Sequence, residues 1–104
     1  MKFEWDEEKN KENIRKHELD FANAGEIFDA PMLTALDTRG DYGEDRWVGI
    51  GFLKNFIAVI VYIEREDVIR IISLRKALNH ERTRFEEALR NELGESQRNA
   101  RRRD

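Results

Sequence analysis

The chain contains no cysteine, so it can form neither a disulfide framework nor a thiolate metal site. It has only two histidines, and they and the carboxylates show no spacing of metal-ligand type. Its longest uninterrupted apolar run, "FIAVIVYI", is eight residues, against the roughly 20 needed to span a bilayer. The opening "MKFEWDEEKN" lacks the apolar core of a signal peptide, and a cytoplasmic protein is therefore expected. Proline occurs once, at Pro31, where it marks the end of a helix because the residue before a proline avoids helical geometry.

What the chain has in excess is charge. Charged residues make up 39%, against about 25% in an ordinary domain, yet periodic blocks of Ile, Val, Leu, Phe and Trp remain to build a core. At 104 residues it is one domain, burying roughly 60–65% of its unfolded surface. The net charge of −3 conceals a gradient. Residues 1–31 carry a net −4, residues 32–64 a net −2 and residues 65–104 a net +3, and all but one of the eleven cations in that last third are arginine. The back of the chain is thus suited to meet an anion while the whole stays acidic.

Hydrophobic periodicity predicts the element order β-α-α-β-β-β-β-α, a single small α+β domain with a mainly antiparallel sheet. "FEW" (3–5) reads as a first strand, and Asp6 as the N-cap of a helix over 7–17. A second helix over 20–28 carries Phe21, Ala24, Ile27 and Phe28 on one stripe. Strands follow at 32–37, 46–53, 56–64 and 68–75, with a turn-rich loop at 38–45 and a two-residue turn at Lys54-Asn55. The strand over 56–64 is apolar on both faces and is expected at the sheet's centre. Asn79 caps a helix over 80–93 striped by Phe85, Ala88, Leu89 and Leu93, and Gly94 is its expected stop. The folded domain thus spans 1–93, and the arginine-rich segment 94–104 is expected to be a disordered tail.

The stretch "VIRIISLR" raises the functional question. A strand that should be buried holds Arg70 within it and Arg75 at its end. Strict alternation puts Val68, Arg70, Ile72 and Leu74 on one face and Ile69, Ile71, Ser73 and Arg75 on the other, so the two arginines diverge unless a bulge intervenes. Arg70 is either a phosphate ligand or the ion-pair partner of Glu64 on the neighbouring strand. On 46–53, Gly49 and Gly51 share a face, either as a shallow floor for a sugar-phosphate backbone or as room for a large side chain such as Trp5 or Trp47. On the first helix Lys9, Asn13, Lys16 and His17 lie close to one face. Such a stripe is a solvated surface or a ligand-binding one, and Lys9 could equally pair with Glu8 or Glu12.

Trp5-Asp6, Lys9, Asn13, Lys16-His17, Phe21, Ala24 and Phe28, then Arg46-Trp47, Gly49-Ile50-Gly51, "IRIIS", Arg75, Ala77 and Glu81-Arg82, together resemble the BrnT-type toxins of bacterial type II toxin–antitoxin pairs. The resemblance spans about residues 3–90. Glu18 stands where glycine is expected, and Phe85 where tyrosine is expected, which removes a hydroxyl from that position. The resemblance implies a RelE-like fold and a ribonuclease that cleaves mRNA, on the ribosome or free of it, and inhibits translation without any cofactor. It implies neutralisation by a BrnA-type ribbon-helix-helix antitoxin, a 2:2 toxin–antitoxin heterotetramer, and autorepression through operator DNA bound by the antitoxin. Without a metal, such cleavage needs a base for the ribose 2′-OH, cations for the pentavalent phosphorane and an acid for the leaving 5′-oxygen. Arg70 and Arg75 are the expected transition-state stabilisers, and His17 is either the catalytic acid–base group or, at a helix C-terminus, a complement to the dipole and a cap for its carbonyls. Lys9, Lys16 and Arg46 are the expected substrate-binding positions. Glu64 is a lesser candidate for the base, and His80, in the last helix's first turn, reads as structural. The rival reading is a non-enzymatic binding module or corepressor component whose catalytic site has degenerated.

Overall fold

The computed structural model describes the backbone of residues 1–102 and the side chains of residues 1–92. Its elements are β1 (Lys2–Trp5), α1 (Glu7–His17), a 3-10 helix (Phe21–Asp29), β2 (Met32–Leu36), β3 (Trp47–Leu53), β4 (Phe56–Arg65), β5 (Val68–Lys76) and α2 (Asn79–Arg102). One sheet runs β1-β5-β4-β3-β2. Every neighbouring pair is antiparallel except β1 with β5, which is parallel. The α+β class and the element order agree with the pattern in the sequence. The backbone of α2 continues past Gly94, since a glycine inside a helix costs only about 1 kcal/mol and does not forbid it. The tail expected over 94–104 lies outside the residues whose side chains are described.

β4 is central, and its residues from Ile57 to Ile63 are all buried. Its first face presents Ala58, Ile60 and Tyr62, which pack with Ile69, Ile71 and Leu74 of β5 under Phe21, Ala24 and Ile27. Those last three recur at a spacing of three. A 3-10 helix stacks such residues in line, which explains why this segment adopts that winding rather than the α-helix predicted. Gly49 and Gly51 lie on this covered face. A Cβ on Gly51 would come within 3.0 Å of Ile27, and one on Gly49 would collide with Met32. The glycines therefore make room for large side chains, Ile27 and Met32 rather than Trp5 or Trp47, and form no open floor.

The second face carries Ile50, Ile57 and Val59, closed by Phe85 and Leu89 of α2. Phe85 is buried and meets Phe52 edge to face with ring centroids 5.0 Å apart. Phe85 and Leu89 of the helical stripe thus complete the core, and Leu93 lies outside the residues whose side chains are described. In the β3–β4 turn the positive φ falls on Lys54, at 56°, rather than on Asn55.

α1 has almost no apolar surface, and two asparagines hold it. The Asn13 amide donates to the Leu74 carbonyl at 2.8 Å and accepts from the Leu74 N–H at 3.1 Å. It thereby supplies the pairing that β1, ending opposite Ile71, no longer provides. It also donates to the Leu19 carbonyl at 2.9 Å. Asn10 accepts from the Phe21 N–H and donates to Asp20, both at 2.9 Å. Asn13 is thus a buried structural group and not part of a solvated stripe. Asp6 caps α1 as predicted, accepting from the N–H groups of Glu8 and Lys9.

At the other end of α1, Glu18 has φ 59°, in the left-handed region. This is a position that favours glycine. Replacing Glu18 with Gly is expected to stabilise the fold by about 0.5–1 kcal/mol. Asn13→Ala, which strands both Leu74 groups, is expected to cost roughly 2–4 kcal/mol. Urea unfolding of the two variants measures both effects.

Candidate active site

The ladder between β4 and β5 slips by one residue. Tyr62 opposes Ile71 while Val61 opposes Ser73, which leaves Ile72 without a partner as a β-bulge. Alternation restarts beyond it. Arg70 opposite Ile63, Ser73 opposite Val61 and Arg75 opposite Val59 therefore all share the second face. The strict-alternation assignment of Leu74 and Arg75 is thereby corrected. Leu74 joins Ile69 and Ile71 in the first core, and Arg75 joins Arg70.

This end of the second face forms a hollow of about 300 Å³ lined by Val48, Val59, Val61, Ser73, Arg75, Glu81 and the segment Leu36–Arg39. Along one side, Arg75 donates from Nη1 and Nη2 to the two oxygens of Glu81 at 2.7 and 2.8 Å. Glu81 also accepts the Leu78 N–H at 2.8 Å. Chiefly because of the Arg75 bond, its carboxyl is held down to about 2. The same bond raises Arg75. On the other side Arg39 donates from Nε and Nη2 to Asp37 at 2.8 and 2.9 Å, and from its backbone N–H at 3.1 Å. Those bonds hold Asp37 down to about 2, with a smaller contribution from the charge of Arg46.

The structure brings some of the sequence-predicted residues together and leaves others apart. Arg75 lines the hollow. Arg70 stands on the same face but outside the lining, 3.5 Å from Glu4 on the adjoining strand. Glu64 is two positions past Tyr62 and so faces the other side of the sheet, which is why Glu4 and not Glu64 pairs with Arg70. Arg46 enters β3 beside this face with its guanidinium 4.0 Å from the Tyr42 ring centroid, and its buried Nε has no hydrogen-bond partner. Lys9, Lys16 and His17 are exposed on α1 and do not belong to the lining, and Lys16 lies 3.8 Å from Glu12. His80 is exposed on the first turn of α2. Sequence reasoning missed Asp37, Arg39 and Ser73. Nothing in the sequence alone marked Ser73, because the bulge that places it is set by the pairing with β4.

The Arg75–Glu81 pair should make stability pH-dependent. Glu81 titrates in the folded state below its ordinary 4.5, so its contribution is present above that value and is lost as the pH falls through about 2. Glu81→Gln is expected to lower the urea midpoint at neutral pH, with the gap to the parent chain narrowing between pH 4.5 and 2.

Comparison with known proteins places this architecture. A family model described as "Ribonuclease toxin, BrnT, of type II toxin-antitoxin system" matches residues 5–81. The fold is similar to the crystal structure of the Brucella abortus ribonuclease toxin BrnT. The two share 30% sequence identity and superpose with a TM-score of 0.58 over 76% of this chain and 99% of that one. No curated protein matches the sequence. The family match runs from the last residue of β1 to the first turn of α2 and includes β2 to β5 whole with the bulge that gathers the arginines, so the chain belongs to the BrnT family of ribonuclease toxins of type II toxin–antitoxin systems.

Proposed function

We propose that the chain is a metal-independent endoribonuclease that cleaves messenger RNA and so inhibits translation, with the hollow on the second sheet face as its site. The observation that carries this reading is the bulge at Ile72, which sets Arg70, Ser73 and Arg75 on one open face. Attack of a ribose 2′-OH on the adjacent phosphorus, its proton passing to solvent water, builds negative charge on the phosphorane oxygens; the P–O5′ bond then breaks, the leaving 5′-oxygen takes a proton from water, and a 2′,3′-cyclic phosphate remains. Preorganised guanidinium forks beside an apolar floor of Val48, Val59 and Val61 stabilise such charge more than water does. Glu81 and Asp37 remain ionised at neutral pH and act by aiming the guanidinium groups. Arg46 and Arg70 extend the cationic surface along the path of the RNA backbone. This reading assigns charge stabilisation to the hollow and no proton transfer to His17, and it leaves Lys9 and Lys16 as outlying contacts to RNA.

A type II system pairs its toxin with a protein antitoxin. We infer a BrnA-type partner with a ribbon-helix-helix domain, assembled with the toxin as a 2:2 complex that represses its own operon. A second reading, binding without turnover, is favoured by one observation: both β5 arginines already have an acid beside them, Glu4 for Arg70 and Glu81 for Arg75.

Expression without antitoxin is expected to arrest growth, and the purified chain to cleave transcribed messenger RNA. The double change Arg70→Ala and Arg75→Ala should slow cleavage by about 100-fold or more and relieve the arrest while circular dichroism stays native. His17→Ala should leave cleavage within a few-fold of the parent. Intact RNA with tight antitoxin binding would support the second reading instead.

A further inference from the structure

We infer that Arg39, carried on the loop between β2 and β3 and aimed by the buried Asp37, closes the hollow opposite Arg75 as a second clamp on the substrate phosphate. The inference rests on the ribonuclease reading of the same hollow and adds to it a positioned residue on a different element. The Asp37 side chain is 1% exposed whereas that of Arg39 is 70% exposed. A buried carboxylate thus holds the base of a guanidinium whose outer edge reaches solvent above the valine floor. Arg39 uses Nε and Nη2 on Asp37, and among the described residues Nη1 has no hydrogen-bond partner. Arg75 likewise uses both Nη atoms on Glu81, and its Nε has none.

The loop bearing Arg39 is pinned rather than loose. The ladder closes behind it where the Asp37 N–H donates to the Arg46 carbonyl at 2.7 Å. Arg65 at the end of β4 grips Glu44 with bonds of 3.0, 2.7 and 2.7 Å. Asp41 accepts the Gly43 N–H at 3.1 Å, and Arg46 stacks on Tyr42. A guanidinium on such a frame keeps its place, as a clamp requires.

Charge supplies the second line of support. Arg39 and Arg75 border one hollow, and the positive charge of Arg39 is felt at Arg75. Two like charges on the border of one hollow, each backed by its own acid, leave a space that a bound phosphate would neutralise.

The full chain is to be assayed in two ways. One is the rate of cleavage of transcribed messenger RNA. The other is binding of a fully 2′-O-methylated single-stranded RNA, which lacks the attacking hydroxyl, across a salt series. Arg39→Ala is expected to slow cleavage about 100-fold and to reduce the slope of log affinity against log salt by about 0.7, the share of one phosphate contact on a single strand. Arg39→Lys should restore the slope but only part of the rate, because lysine keeps the charge and loses the fork. Asp37→Asn leaves the Arg39 charge in place. It should therefore keep the slope and lower kcat, and the double variant Asp37→Asn with Arg39→Ala should be no slower than Arg39→Ala alone.

If Arg39→Ala matches the parent in both assays while Arg75→Ala is impaired, the clamp is refuted and the ribonuclease reading stands. If both variants match a parent that cleaves RNA, the hollow is not the site and the clamp falls with it. If the parent leaves RNA intact, the ribonuclease reading falls, and an unchanged binding slope in Arg39→Ala would overturn the clamp as well. An Asp37→Asn variant that loses only thermal stability, with kcat unchanged, would refute the positioning role.

Discussion

One unpaired residue in a strand, Ile72, governs both the core and the site. With strict alternation Leu74 would leave the first core, and Arg75 would enter it among Phe21, Ile27 and Ile60. Burying an unpaired guanidinium there costs several kcal/mol, so an unbulged β5 is not compatible with this core. The slip between Val61 and Tyr62 resolves that conflict and brings Arg70, Ser73 and Arg75 onto the face that α2 leaves open. The apolar demand of one face thereby sets the cationic chemistry of the other.

The site that results is cationic on its surface and acidic behind it. Arg75 is braced by Glu81 from α2, and Arg39 by Asp37 at the end of β2. Both carboxyls are held near 2, so each stays ionised across the physiological range and its guanidinium stays oriented. Because each acid comes from a different element than β5, the hollow exists only when β2, β5 and α2 are docked together. Folding and preorganisation are therefore the same event. α1 contributes differently: through Asn10 and Asn13 it straps the open edge of β5 and the start of the 3-10 helix, and it presents its cations to solvent.

Much of the fold was legible because its signals are local. Alternating apolar residues locate the strands, Asp6 locates the start of α1, and the two-sided apolarity of 56–64 identifies β4 as the central strand. The α1 boundaries follow from a cap and a charge pattern that need no tertiary context. The bulge was legible only as a condition, since nothing in "VIRIISLR" by itself says which residue loses its partner. That choice is made by β4 across the ladder. Asn13 looked like surface because an asparagine on a polar helix usually is, and its two bonds to Leu74 span 61 positions. Asp37 read as the last residue of a strand and Arg39 lay in a turn-rich loop, so their pairing resembles an ordinary surface contact until the hollow beside them is seen. The glycines of β3 pointed to a close approach correctly, while the identity of what approaches, Ile27 and Met32, was set by the packing of the 3-10 helix.

The central claim is that guanidinium groups gathered by the bulge, and not His17 at the end of α1, receive the reacting phosphate of the RNA. Titrating the chain with a 2′-O-methylated RNA while following the arginine side-chain Nε–H resonances and the His17 ring by NMR tests it most directly. The account predicts that Arg70 and Arg75 shift together at a common saturating concentration while His17 stays fixed. Movement of His17 with the β5 arginines unchanged would contradict it.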